Sequence, residues 1–580
     1  MPSRLKQLVY GKARDPRDAR TFHSISLIAL LAWVGLGADG LSSSAYGPDE
    51  AFRALGQHAY LAPFLALATT ITVLTISLAY SQIIRHFPFG GGGYVVATEL
   101  LGPRWGVVSG SALLVDYVLT ISVSIAAGAD QVFSVLPPGA LRWKLVLEGA
   151  VILLLVILNL RGVKESVTVL APIFGLFLLT HGILIAAGIG MHLGRVPQVA
   201  AEVSHGVQSG LSTVGALGLF AIFVRAYSMG AGTYTGIEAV SNGLQIMREP
   251  KVRTARKTML YMAISLAVTA GGILILYLLF GIRPVEGKTM NAVLFNAFAG
   301  NWTIGGVRIG YTFVLVSLAA EAALLFVAAQ AGFIDGPRVM SSMAMDSWLP
   351  HRFAQLSSRL TISDGVMLMG GAAIATLVYT RGSLVALVTM YSINVFVTFS
   401  LSQVGMLRFQ LQHHESDRGK GLAIHGLAFT LCFGILIGII YEKFALGGWV
   451  TVLVTGALVA LCFRIRRHYR KVDTNLSRLN TILEVLPKDP PAAVPTIDRK
   501  RPTAVLLVGG YGGVGIHALL TIQRLFPGHF RNIVFVSIGV IDVATMKGVE
   551  EVERLRLATE KSLEEYVGLA HRFGFGAEWR

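Results

Sequence analysis

Three stretches of the chain carry acids and hydroxyls where a lipid-facing helix would carry none. The first, Gly35-Leu-Gly-Ala-Asp-Gly-Leu-Ser-Ser-Ser-Ala-Tyr-Gly-Pro48, interrupts the apolar run from Leu27 to Phe52 with Asp39, three serines, Tyr46 and four glycines. The second, Ala231-Gly-Thr-Tyr-Thr-Gly-Ile-Glu-Ala-Val-Ser-Asn-Gly243, repeats the pattern around Thr235 and Glu238. The third, Asp116-Tyr-Val-Leu-Thr-Ile-Ser-Val-Ser124, places Asp116, Thr120 and Ser124 on one helical face at i, i+4 and i+8. Glycines release backbone groups, hydroxyls coordinate, and carboxylates attract positive charge, so the chemistry expected is cation binding. Ionisable side chains and unpaired backbone at membrane depth persist only where they line a cavity or hold something. No nucleophile–base pair or metal-ligand spacing accompanies them, which argues against an enzyme.

The elements that hold these residues are membrane helices. Hydrophobic residues make up 53% of the chain and charged ones 14%, against roughly 25% charged in soluble domains, and the mean hydropathy is +0.63. Apolar runs of spanning length recur about twelve times between Ser24 and Phe463. The expected spans are 24–55, 59–84, 104–135, 145–160, 166–192, 211–246, 258–281, 309–333, 364–379, 383–406, 423–441 and 447–463. The first and sixth of these contain the glycine-rich interruptions, as expected of an inverted five-plus-five repeat whose broken helices carry the substrate site. The net charge of +16 would suggest nucleic acid in a soluble protein. Here the basic clusters fall in alternate loops, which predicts a plasma-membrane protein with both termini cytoplasmic. A secretory leader is not expected, because the first run continues past its interruption and many spans follow.

Past Phe463 the composition changes. A basic stretch and linker cover 464–502, and 503–580 alternates strand and helix: Ala504–Val508, Gly515–Leu525, Asn532–Ile538 and Val543–Val567. The expected organisation is a cytoplasmic segment 1–23, a transporter domain 24–463, the linker, and a small cytosolic α/β domain that completes its core by pairing with a second copy. Gly510, Gly512 and Gly515 stand between strand and helix, the context a phosphate-cradling turn requires, with Asp542 at the distance of a ribose-binding acid. The bland alternative is a tight turn in a dimerisation module.

Phe87-Pro-Phe-Gly-Gly-Gly-Gly-Tyr-Val-Val-Ala-Thr-Glu-Leu-Leu-Gly-Pro103, Thr235-Gly-Ile-Glu-Ala-Val240 and Gly336-Pro-Arg-Val-Met-Ser-Ser-Met-Ala-Met-Asp-Ser-Trp-Leu-Pro350 resemble motifs of the amino acid-polyamine-organocation transporters. That resemblance covers the whole membrane part and implies an all-α bundle with discontinuous first and sixth helices. Within the superfamily, Asp39 stands where amino acid carriers hold the substrate carboxylate with free amides, and it would repel that group. The arrangement around Asp39 and Tyr46, the Asp116-Tyr117-x-x-Thr120-x-x-x-Ser124 face and Thr235-x-x-Glu238 resemble the KimA-type potassium–proton symporters. The resemblance implies that Asp39, Tyr46, Asp116, Tyr117, Thr120, Ser124, Thr235 and Glu238, with Tyr391 more loosely, hold potassium or carry the proton. It also admits cyclic di-AMP as a regulator of a dimeric cytosolic domain.

Three acids exceed what one monovalent ion balances unless at least one is protonated, which makes proton coupling natural. The leading reading is a proton-coupled potassium importer working by alternating access, with no cofactor beyond the transported ions. A proton-coupled amino acid or polyamine permease and a nucleotide-sensing receptor on a transporter scaffold are the alternatives. Each site residue also has a structural reading: Asp39 or Glu238 as a helix cap, Asp116 as a partner of freed amides, Tyr391 as packing. Asp130, Asn159, His181 and Glu321 are expected to make helix-end or helix–helix contacts.

Overall fold

The second span, Ala62–His86, illustrates how these sequences make membrane helices. It starts at Pro63, where a missing N–H costs nothing, and ends with Arg85 and His86 in its last turn. Its 25 residues rise about 37 Å, enough to cross a hydrocarbon layer of about 30 Å. The computed structural model describes residues 27–580 except 89, 91, 162–163, 304–307, 414–416, 485, 487–493, 499 and 543–548. The expected segment 1–23 and the middle of the expected linker lie outside the described residues.

Among the described residues, nine helical runs are long and apolar enough to cross a membrane. One of them, Arg418–Leu483, holds two expected spans, divided where Gly447 leaves helical geometry at φ 124°. The first span is two half-helices, Ala29–Ser42 and Gly47–Leu55, and the ninth is Ser363–Thr380, which completes the twelve expected positions. The third span, Pro103–Phe133, is the most enclosed and carries Asp116, Tyr117, Thr120 and Ser124 on buried positions.

Three differences from the sequence expectation matter for the site. The sixth span begins at Gly215, because Gly215 takes φ 75° and ends a separate helix, Val196–Thr213. A short helix, Met290–Ala299, precedes the eighth span and is capped by the Thr289 hydroxyl. The tenth span is also broken: Leu384–Met390 and Ile393–Gln412 are separated at Tyr391 and Ser392.

The chain divides into two compact units. Among the described residues, the first comprises 27–343 and 361–460 and the second 344–360 and 461–580. Within the second unit, β1 (Thr503–Leu507), β2 (Asn532–Val536) and β3 (Gly576–Trp579) form a parallel sheet in that order, with Val505 opposite Val534 and Phe535 opposite Trp579. Helices Gly513–Leu525 and Val549–Arg572 connect the strands, and β3 was not anticipated. Leu506, Ile533 and Phe535 meet Ile516, Leu519, Leu563, Tyr566 and Leu569 in one core. Both helices therefore cover the same face. On the other face Val505 and Leu507 are 64% and 77% exposed, although parallel sheets ordinarily have both faces covered.

Candidate functional site

The first span is interrupted by a tight 3-10 turn, Ser43–Ala45, followed by Tyr46 at φ −126°. The serines satisfy the turn from within: Ser42, Ser43 and Ser44 donate to the carbonyls of Asp39 (2.8 Å), Gly40 (2.5 Å) and Leu41 (2.7 Å). Ser43 also reaches the Thr233 carbonyl at 3.0 Å, which ties this turn to the sixth span. The sixth span is more fully unwound. Its first helix, Gly215–Met229, passes into a 3-10 turn, Gly230–Tyr234, then an extended Thr235 and Gly236 at φ 80°, before a single turn of helix at Ala239–Asn242.

The two interruptions cross backbone against backbone, and glycine makes this possible. A Cβ at Gly236 would lie 2.6 Å from the Gly40 nitrogen and 2.9 Å from the Asp39 carboxyl carbon. The Asp39 side chain is thereby pressed onto the unwound backbone of the sixth span. Neither helix-cap reading finds a bond here: the residues preceding Gly47 and Ala239, Tyr46 and Glu238, make no side-chain cap, and Asp39 sits inside its own helix.

All nine membrane residues singled out in the sequence are buried. Two of them are joined directly: Thr120 donates to the Tyr391 phenol at 3.3 Å. Thr235 donates to the Gly232 carbonyl at 2.7 Å. Tyr391 reaches Thr120 because the tenth span breaks at its Cα, so it is more than packing. The Tyr117 phenol accepts from the Asn242 amide. Asp39 and Asp116 both act electrostatically on Glu238, and Asp39 on Asp116. Among the described residues, Asp116 Oδ1 and Glu238 Oε2 are buried with no hydrogen-bond partner. Unmet buried acceptors of this kind call for a proton or a cation. Ser124 is buried on the same face, and none of the described hydrogen bonds links it to the others. Among the described residues no three His, Cys, Asp or Glu side chains cluster to chelate a metal.

The sequence reading missed a fourth acid. Asp335, in the eighth span Ile309–Met345, is fully buried and acts electrostatically on Asp39, Tyr117 and Glu238. Its position immediately before Gly336-Pro337-Arg338 was the signal. The other intramembrane polar groups have partners of their own: Asn159 exchanges hydrogen bonds with Gln330 at 2.9 and 2.7 Å, Asp130 pairs with Lys144 at 2.5 Å, Glu321 accepts from Asn291 at 2.6 Å and His181 contacts the Phe177 carbonyl at 3.0 Å.

The glycine-rich turn belongs to the second unit. The Gly513 N–H donates to Asn480 Oδ1 at 2.8 Å and the Gly512 N–H to the Tyr566 phenol at 3.2 Å. A Cβ at Gly513 or Gly515 would collide with the Leu479 carbonyl or the Tyr566 ring, so close packing accounts for both glycines. A surface cavity of about 220 Å³ beside Gly510, Gly512 and Gly513 also has Asp473 in its lining, an acid that would oppose a phosphate. Asp542 bridges to Gln355 through its backbone instead.

The model of the amino acid permease family matches residues 25–463 of the chain. The chain is similar to the potassium transporter KimA of Bacillus subtilis (strain 168), with 32% identity over 481 residues that cover 81% of this chain and 75% of that protein. Among solved structures, a manganese transporter of Eremococcus coleocola covers 80% of this chain and 98% of its own at 14% identity and a TM-score of 0.40. A sodium-coupled sialic acid symporter in a substrate-bound outward-open state covers 76% and 92% at 10% identity and a TM-score of 0.44.

Proposed function

The chain belongs to the amino acid permease family, and on that footing we propose that this multi-pass membrane transporter carries potassium inward together with protons, by alternating access. The observation that carries this reading is the Asp39 carboxylate, buried against the unwound sixth span where a family member specific for amino acids would need room for the substrate's own carboxylate. A dehydrated potassium ion needs several oxygens in place of its water. Tyr46, Thr120, Thr235 and Tyr391 offer buried oxygens, two of them hydrogen-bonded to each other. The name of the Bacillus relative supports the same ion. Asp116 and Glu238 hold more negative charge than one potassium neutralises, and their unmet oxygens support a proton as the second passenger. Basic residues in alternate loops support an orientation with both termini in the cytoplasm of a plasma-membrane protein.

Expression in a potassium-uptake-deficient bacterium tests the reading. Growth at limiting potassium is the expected result. Absence of rescue despite membrane expression would redirect the assignment to amino acids or polyamines, which labelled uptake would then identify.

The open face of the three-stranded sheet supports a homodimer in which a second copy covers Val505 and Leu507. Leu507→Glu is expected to shift the purified protein toward monomer, read by light scattering, while its melting temperature stays near that of the wild type because the side chain is exposed. An unchanged dimer would place the contact elsewhere. Cyclic di-AMP at the Gly510–Gly515 turn would first have to displace Asn480 and Tyr566 from the amides they hold.

A further inference from the structure

The eighth span carries a charged pair that the central site does not use. Both carboxylate oxygens of Asp335 are buried without a hydrogen bond among the described residues, and the nearest cation, Arg338 Nη1, stands 3.5 Å from Oδ1 and is itself unbonded. A buried carboxylate held only by one loose ion pair is poorly compensated for its lost water. Such a group gains from any cation that coordinates it directly.

Its placement relates it to the site. A Cβ at Gly332 would lie 2.8 Å from the Tyr117 carbonyl and 2.6 Å from Ile121, so the third and eighth spans touch there. Asp335 follows three residues later, on the same helical face, and its charge is felt at Asp39, Tyr117 and Glu238. Gly336 and Pro337 instead meet Met369 and Gly365 of the ninth span. The Arg338 side chain is 22% exposed while that of Asp335 is wholly enclosed. The Arg338 Nη1 that faces the acid is itself buried, and both residues lie within the helix that continues to Met345.

We propose that Asp335 is a second binding position for the transported monovalent cation, on the C-terminal side of the central site along the eighth span, occupied in this structure by Arg338. This rests on the cation-transport reading above. A cation leaving Asp39 and Glu238 meets the Asp335 carboxylate next, displaces the guanidinium from it, and departs. Arg338 then closes back onto Asp335 and opposes return of the ion.

Radioactive rubidium uptake into proteoliposomes containing the full-length protein tests this. Asp335→Asn is expected to lower the maximal rate about tenfold with KM changed less than about twofold, because the central site is intact. Arg338→Gln is expected to raise rubidium counterflow about threefold or more, since the competing cation is gone. The double variant Asp335→Asn/Arg338→Gln is expected to remain as slow as the single Asp335 variant. A purely structural ion pair behaves differently: each single variant would lose monodisperse elution, and removing both charges together would restore wild-type uptake. That restoration, or an unchanged maximal rate in Asp335→Asn beside an active wild type, would overturn the second position alone. A wild type that moves no rubidium would overturn the cation reading and this proposal with it.

Discussion

Asp39→Asn is expected to abolish potassium uptake while leaving folded protein in the membrane. The substitution keeps the shape of the side chain and removes its charge. Opposite charges about 4 Å apart at an effective dielectric constant near 20 attract by about 4 kcal/mol, which is on the order of a thousandfold in affinity. At limiting potassium that loss removes growth rescue, and in vesicles it removes rubidium uptake at concentrations that saturate the wild type. The fold has less to lose. Asp39 makes no cap and lies within the helix Ala29–Ser42, and the turn that follows is held by serine hydroxyls and by Ser43 on the Thr233 carbonyl. Normal elution with no transport therefore separates the electrostatic role from a structural one. Wild-type uptake in Asp39→Asn would remove this residue from the ion path and return the amino acid reading to first place.

Much of this site was legible because its causes are local. Glycines beside acids and hydroxyls within an apolar run can only mean a broken helix with something to hold, and both the first and sixth spans break where such residues cluster. The break in the tenth span has no such mark. Tyr391 and Ser392 are flanked by neither glycine nor proline, yet Ser392 adopts φ 75°. Its causes lie in the next two spans: Lys443 donates to the Val388 carbonyl at 3.1 Å and Thr451 to the Met390 carbonyl at 2.8 Å. Side chains from the eleventh and twelfth spans take up carbonyls that a continuous helix would have satisfied itself, and nothing near Tyr391 announces that. Asp335 was missed for a related reason. A lone acid before Gly-Pro-Arg looks like a helix end until the close approach at Gly332 shows which face it shares with the site. In the second unit, Gly510, Gly512 and Gly515 fit a phosphate turn by pattern. Of these, Gly515 is taken up by the Tyr566 ring, while a Cβ at Gly510 would meet nothing within 4 Å, a difference that the pattern does not carry.

Gly236→Ala is expected to eliminate transport by a steric route, and its effect should differ in kind from that of Asp39→Asn. At φ 80° an alanine is strained by about 1–2 kcal/mol. Its methyl group would also sit 2.6 Å from the Gly40 nitrogen and 2.9 Å from the Asp39 carboxyl carbon, and overpacking of this kind costs about 1–3 kcal/mol. Both neighbours are fixed, one being backbone and the other the buried Asp39 carboxyl, so relaxation must push the first span off the sixth. The measurable consequence is a lower melting temperature together with lost uptake, whereas Asp39→Asn loses uptake alone. Gly434→Ala supplies the control, since a Cβ there meets nothing within 4 Å, and it should match the wild type in both assays. Normal uptake by Gly236→Ala would mean that the two interruptions do not need contact for transport. Loss in that variant with retention in Gly434→Ala would tie ion binding to the close crossing itself, since the only thing added at either position is one methyl group.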